Sequence, residues 1–196
     1  MNNLNTYTVD NVRIKYAANN EAHGYAMGLD IRLNGEFVPG TDSWVSLGLL
    51  KTEEKWQGRD FIARPTDQRF KLGILFQDYV PNIPNLKMYL NLLYNTGLPG
   101  GSPAHSDPYD YQYRLNDYKR ADLGISYVFS DAANWKAKTT RYGISYLAFG
   151  IELFNMFDVT NSITTTWVRD AYSKQYYGVP NYMTPRLLNL KMEVKF

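Results

Sequence analysis

Two histidines, His23 and His105, three aspartates in one stretch, Asp107, Asp110 and Asp117, and the run Gly97-Leu98-Pro99-Gly100-Gly101 are the residues whose types could do chemistry. The histidines have no neighbour at metal-ligand spacing, so neither a metal nor a catalytic role is expected of them. The aspartates interleave with Tyr109, Tyr111 and Tyr113. Brought together, such carboxylates transfer protons or hold a hard cation; apart, they make a solvated acidic loop whose rings can touch a ligand, which is the reading adopted. The glycine run is followed by neither a lysine nor a helical pattern, so it is no phosphate loop. The chain has no cysteine, which removes thiol nucleophiles, disulfides and Cys-ligated metals. With no serine elbow or zinc motif either, no enzyme activity and no cofactor are expected.

Charge removes a further class. Across 196 residues, 21 Lys and Arg face 19 Asp and Glu, a balance too even for phosphate neutralisation, so no nucleic-acid partner is expected. The polar opening Asn2-Asn3-Leu4-Asn5-Thr6 has no apolar h-region, and no secretory signal peptide is expected in it. The longest stretch free of charge, Met88 to Ser106, is broken by prolines and glycines and cannot be a spanning helix.

The elements that must position these residues are legible in the alternation. From Tyr25 to Phe37 the odd positions include Met27, Leu29, Ile31 and Leu33, and the even ones include Asp30, Arg32 and Glu36. Period two sorts apolar and polar groups onto opposite faces of a strand. The pattern returns at Phe70/Leu72/Ile74/Phe76, at Met88/Leu90/Leu92/Tyr94, at Ala121/Leu123/Ile125/Tyr127/Phe129 and at Leu188/Leu190/Met192/Val194/Phe196. Weaker alternation marks Val12/Ile14/Tyr16, Val45/Leu47/Leu49 and Leu147/Phe149/Ile151/Leu153. Eight strands are expected, at roughly residues 7–18, 22–37, 42–53, 66–80, 84–97, 115–130, 142–157 and 184–196.

Their connections alternate in length. Shorter turns are expected at Val38-Pro39-Gly40-Thr41, Val80 to Asn85 and Ser130 to Arg141, and longer loops at Glu53–Arg64, Gly97–Gln112 and Asp158–Met183. The expected fold class is therefore all-β: an antiparallel up-and-down transmembrane β-barrel segment, in which strands of about 9–11 residues cross a bilayer. Aromatic rows are expected at the two membrane interfaces, with Tyr16, Tyr25, Tyr94, Tyr118 and Phe157 at one and Phe37, Trp44, Tyr79, Phe129 and Phe196 at the other. A soluble β-sandwich is the competing architecture.

Several motifs in order carry a resemblance. Tyr118-Lys119-Arg120-Ala121-Asp122-Leu123-Gly124-Ile125-Ser126-Tyr127 is followed by Asn155-Met156-Phe157-Asp158, by Pro185-Arg186 and by the alternating strand ending in Phe196. Upstream stand Arg64-Pro65-Thr66-Asp67-Gln68-Arg69, Phe76-Gln77-Asp78-Tyr79 and Thr96-Gly97-Leu98-Pro99-Gly100. Together they resemble the C-terminal third of a TonB-dependent outer-membrane receptor, a 22-stranded barrel that imports scarce nutrients into Gram-negative bacteria. The resemblance implies that the strands are the last eight of 22. The family's plug domain, TonB box and signal peptide are not found in these residues, so a fragment is expected, although pairing with another chain or closure as eight strands remains open. It also implies location in the cell outer membrane, contact with its lipids, contact with the missing N-terminal plug and barrel strands, coupling to TonB through the missing part, and a possible surface lipoprotein partner. A self-contained barrel with a structural or adhesive role, or a soluble binding module, would share much of the pattern.

Site residues follow from this layout. Trp56, Phe61, Tyr109, Tyr111, Trp167, Tyr172, Tyr176 and Tyr177 are the loop aromatics expected to stack on a ligand. Arg13, Lys15, Arg32, Arg69, Lys71, Lys87, Arg120, Lys191 and Lys195 are expected to face the lumen opposite Asp30, Glu36, Asp122, Glu152 and Glu193, an excess of positive charge that would favour anionic ligands. Phe196, an aromatic ending an alternating strand, resembles the signal read by the barrel-assembly machinery.

Overall fold

The computed structural model describes residues 1–11, 14–38, 41–80, 82–131 and 143–196. Val12, Arg13, Pro39, Gly40 and the expected turn residues from 132 to 142 lie outside these, as do the side chains of Phe37 and Val38. The described residues are all-β, with an antiparallel up-and-down sheet at their centre. Seven long strands carry it: β3 (Ala22–Val38), β4 (Thr41–Trp56), β6 (Phe70–Val80), β7 (Ile83–Asn95), β10 (Tyr118–Asp131), β11 (Tyr146–Phe154) and β14 (Leu187–Lys195). They pair in chain order, β14-β11-β10-β7-β6-β4-β3, and the short β5 (Phe61–Ala63) adds an eighth strand beside the upper part of β4. β3 and β14 stand at opposite ends of this order and do not pair with each other, so closure as an eight-stranded barrel is not found.

Strand parity sets the faces. Leu33↔Val45↔Ile74↔Leu92↔Ala121 runs across five strands through successive pairings, and Ile125↔Ile151↔Leu190 continues the same face across β10, β11 and β14. Large apolar groups on it are open: Met27 is 59% exposed, Leu33 67%, Leu190 63% and Met192 69%. The opposite face carries Asp30, Arg32, Lys71, Asn91, Asp122, Glu152, Lys191 and Glu193. The expected sparing of charge on the apolar face fails at one end, where Lys51 bridges Glu53 at 3.0 Å and Tyr25 donates to the same carboxylate.

The aromatic rows need correction. Trp44, Tyr79 and Tyr118 have polar-face parity, Trp44 pairing with Asn34 and packing where Gly73 leaves room, and Tyr79 pairing with Lys87. Tyr16 lies outside the main sheet. Tyr25, Tyr94, Phe129 and Phe196 keep the apolar-face parity.

Residues 7–18, expected as one strand, form the hairpin of β1 (Tyr7–Val9) and β2 (Ile14–Tyr16), paired with each other and not with the sheet. Asp10 and Asn11, residues that favour turns, interrupt the alternation. The long connections are also more ordered than loops. Beyond β5 they contain β8 (Pro99–Gly100) against β9 (Tyr113–Arg114), and β12 (Ser162–Arg169) against β13 (Tyr176–Tyr182). All lie at one end, the loop end; the short β6–β7 connection through Asn82 at φ 67° lies at the other, together with the β10–β11 connection, whose 14 residues match the 13 between β4 and β6. Burial concentrates at the loop end too, and much of it is polar: Glu54, Asp67, Asn155 and Asn161 are buried there with Tyr7 and Ala22.

On the polar face, Gly124 is covered by the ring of Tyr89, and a Cβ at Gly124 would come within 2.0 Å of Tyr89 Cε1. Gly124→Val should therefore cost about 1–3 kcal/mol of stability through overpacking. Tyr89→Ala, in the same chain, should restore most of that loss in urea unfolding; an uncorrected double variant would point to backbone strain instead.

A candidate ligand cavity at the loop end

Two hairpins and one crossing segment converge at the loop end. Tyr7 of β1 packs edge-on against Trp56 at 5.7 Å and lies 5.8 Å from Tyr16. Val9 N–H donates to Ser106 O at 2.9 Å, and Trp167 N–H of β12 donates to Asn11 O at 2.9 Å. These bonds seat the β1–β2 hairpin between the 98–115 segment and the β12–β13 hairpin. Between them lies a cavity of about 210 Å³, walled by Tyr7, Val9 and Ile14, by Leu98, Tyr113 and Leu115, and by Ile163, Thr165 and Trp167. Glycine matters at one point of this wall: a Cβ on Gly100 would meet the Tyr113 ring at 2.9 Å.

The segment is held by a carboxylate clasp. Asp67, fully buried, accepts Thr52 N–H at 2.6 Å and Arg69 Nε at 2.6 Å, and pairs with Arg114. Arg114 also donates to Asp67 O at 2.9 Å and Gly97 O at 3.0 Å. Burial alone would raise the Asp67 carboxyl, but the Thr52 N–H and the two guanidinium groups outweigh it and hold it below the usual carboxylate range. Beside the clasp, Glu54 is fully buried, 3.1 Å from Arg64 Nε and 3.1 Å from Trp56 Nε1. Here burial wins, and the carboxyl is pushed up. Tyr7, above it, is raised first by its own burial and then by the Glu54 charge.

The loop aromatics divide. Trp56 and Tyr109 are spent on each other: Trp56 N–H donates to the Tyr109 hydroxyl, the rings lie 5.1 Å apart, and Arg59 covers Tyr109 at 4.7 Å. Phe61 packs against Tyr25 at 5.5 Å, and Tyr111 lies between His105 and Tyr113. Of the eight, Trp167 lines the cavity. Tyr172 stands at the hairpin tip, 96% exposed, Tyr176 lies under Arg169 at 5.7 Å, and Tyr177 is exposed on β13. Tyr113, one of the rings interleaved with the aspartates, also lines the cavity, and Tyr7, a lining residue not singled out in the sequence, could have been found from its apolar alternation with Val9.

The three aspartates are engaged separately. Asp107 is bridged to Arg59 at 2.5 Å, Asp117 accepts the Tyr94 hydroxyl at 2.6 Å and Gly97 N–H at 3.0 Å, and Asp110 donates its backbone N–H to Asp107 O. Those two bonds, the hydroxyl first, lower the Asp117 carboxyl. Among the described residues no three metal-ligating side chains gather.

Of the charges expected in the lumen, Arg32, Arg120, Asp122 and Glu152 have polar-face parity. Arg32 lies over Trp44 at 5.6 Å, Arg120 pairs with Asp122 at 2.7 Å, and Glu152 accepts from Asn189 at 2.9 Å. Arg69 precedes β6 and bridges Asp67 to Glu53, a residue of apolar-face parity, so it belongs to the clasp. Lys15 sits in the separate hairpin, bridged to Asp10. A polar hollow of about 100 Å³ between Lys87, Tyr89, Glu152, Lys191 and Glu193 completes this face. Phe196, beyond β14, is 87% exposed.

No helix among the described residues is long and apolar enough to cross a membrane, a statement that does not bear on strands. No protein-family model, no curated protein and no solved structure matches the chain.

Proposed function

We propose that the chain is the C-terminal barrel segment of an outer-membrane receptor for TonB-dependent uptake, with its loop end capturing a scarce nutrient outside the cell. The observation that carries this reading is the uncovered apolar face spanning seven long strands. In water such a patch is a liability far beyond the few hundred Å² a monomer usually exposes; in a bilayer it is the solvated side. The polar face opposite, and the segregation of short turns from long hairpins, agree with an outer-membrane barrel. The two unpaired ends of the sheet call for strands outside these residues, because unpaired backbone in hydrocarbon costs several kcal/mol per group. In this reading the polar face meets a plug, TonB supplies energy through that part, and a surface lipoprotein can cover the loop end.

Expression of the intact receptor, with its signal peptide and preceding strands, in a Gram-negative host should place these residues in the outer-membrane fraction, resistant to carbonate and released by detergent. Recovery in the supernatant after a carbonate wash would overturn the proposal in favour of a soluble module. Deleting Phe196 from the intact receptor should lower its outer-membrane level several-fold without changing synthesis, as read by fractionation and blotting.

A further inference from the structure

The cavity between the hairpins has a definite chemical character. None of the 17 described residues that line it is a lysine, arginine or histidine. Its carboxylate, Asp10, is bridged by Lys15 at 2.8 Å. The Gln112 amide donates to Ala63 O at 2.9 Å, the Thr164 hydroxyl accepts from Asn181 at 2.9 Å, and the Thr165 hydroxyl accepts from Tyr113 at 3.4 Å. An anion entering here meets the Asp10 carboxylate, and the described cation beside it, Lys15, is already paired with that carboxylate. A sugar meets few polar side chains on a mostly apolar wall, so each hydroxyl that lost water without a new partner would bind at a penalty. An apolar group, by contrast, gains the Trp167 and Tyr113 rings and the aliphatic walls. At about 210 Å³ the space is below that of sites holding whole drug-sized ligands, about 300–1,000 Å³, and suits one group of a larger molecule.

We propose that this cavity is the anchoring subsite for the captured ligand and takes an uncharged aromatic or branched aliphatic group, with Trp167 and Tyr113 as its ring walls. Its role in capture rests on the uptake reading; its chemistry does not. The group could be a side chain of a peptide or a free apolar ring, and the two sources share the recognition described. The charges on the polar face of the sheet therefore do not set the ligand class at the loop end.

The test uses the full chain in lipid nanodiscs, labelled with 5-fluorotryptophan, with the Trp167 resonance assigned by Trp167→Phe. The probes are N-acetylphenylalaninamide and the tripeptide Ala-Phe-Ala for the peptide source, indole for the free ring, and benzoate and maltose as the anionic and hydroxylated contrasts. Saturable shifts of the Trp167 line are expected with the three apolar probes. Binding of benzoate and maltose should be at least about tenfold weaker, a difference of about 1.4 kcal/mol. Tighter binding of the tripeptide than of indole assigns a peptide source, the reverse order a free ring, and both support the class. Leu98→Trp should fill the cavity and abolish the shifts while the lines of the other tryptophans stay in place. A Trp167 line silent to every apolar probe, or moved equally by maltose or benzoate, would overturn the proposal. Silence in a chain that enters the outer membrane sinks the subsite alone. A response in a chain that stays soluble sinks the uptake reading and keeps the subsite.

Discussion

Asp67→Ala will release the 97–116 segment from the sheet. The carboxylate is fully buried and satisfies Thr52 N–H, Arg69 and Arg114 together. Its removal leaves two guanidinium groups facing each other. Breaking a fully buried pair costs about 3–5 kcal/mol; because Arg69 and Arg114 keep 40% and 38% of their side-chain surface, about 2–3 kcal/mol is expected after allowing for screening. The loss should be local, since β6 and β7 keep their own pairing. Protease cleavage between Ser102 and Gln112 should accelerate, and amide exchange at Thr52, Gly97 and Leu115 should rise, while β10 and β11 stay protected. Uniform exchange across the whole sheet would contradict this assignment. Asp67→Asn should fall between, keeping the shape but losing the charge. Acid should imitate the substitution. The folded carboxyl titrates below its unfolded value, so the unfolded chain binds the extra proton first. The stabilisation is complete above the ordinary carboxylate range and is lost as pH falls through the depressed folded value. Asp117 has the same sign and guards the same segment through Gly97.

The second large effect lies at Asn155, where β11 ends. Asn155 adopts φ 49°, is buried, and its side chain bonds in three places: it donates to Val159 O at 3.0 Å and Thr184 O at 3.4 Å and accepts Val159 N–H at 3.1 Å. Its own N–H donates to Asp122 at 2.8 Å. Asn155→Ala removes the side-chain bonds and places a residue without local compensation in the left-handed region. A cost of about 2–3 kcal/mol follows from the orphaned buried groups and about 1 kcal/mol more from the backbone. Asn155→Gly shares the first loss and escapes the second. Urea midpoints should therefore rank wild type above Gly and Gly above Ala; equal midpoints for the two variants would show that the turn relaxes.

That turn shows how far the sequence could be read. Asn155-Met156-Phe157-Asp158 stood out by resemblance, and its chemistry is local: Asp158, at φ 53°, accepts Arg186 N–H at 2.9 Å, tying the start of the β12–β13 excursion to its end. The long strands were legible because parity is a local code and each pairs with a neighbour in the chain. Residues 7–18 misled because Val12, Ile14 and Tyr16 keep period two in the sequence, whereas Ile14 to Tyr16 pair with Tyr7 to Val9 instead. The β12–β13 hairpin went unread because its threonines made the run from Ile163 to Val168 resemble a polar loop. The clasp was beyond local reading altogether: Arg69 is two residues from Asp67, but Arg114 is 47 away. Likewise, no feature of the sequence announces that Trp56 and Tyr109 consume each other.

The strand order has a kinetic consequence. Every long strand lies beside the one before it in the chain, so each addition closes a loop no longer than the connection between them, and contact order stays low for a β protein. Growth can proceed hairpin by hairpin along a single template. The β3–β4 pair, with the longest register, is the natural first rung, and β14, reached across the β12–β13 excursion, is the natural last one. An assembly factor that grips the last strand would then hold the chain at the point where the zipper finishes.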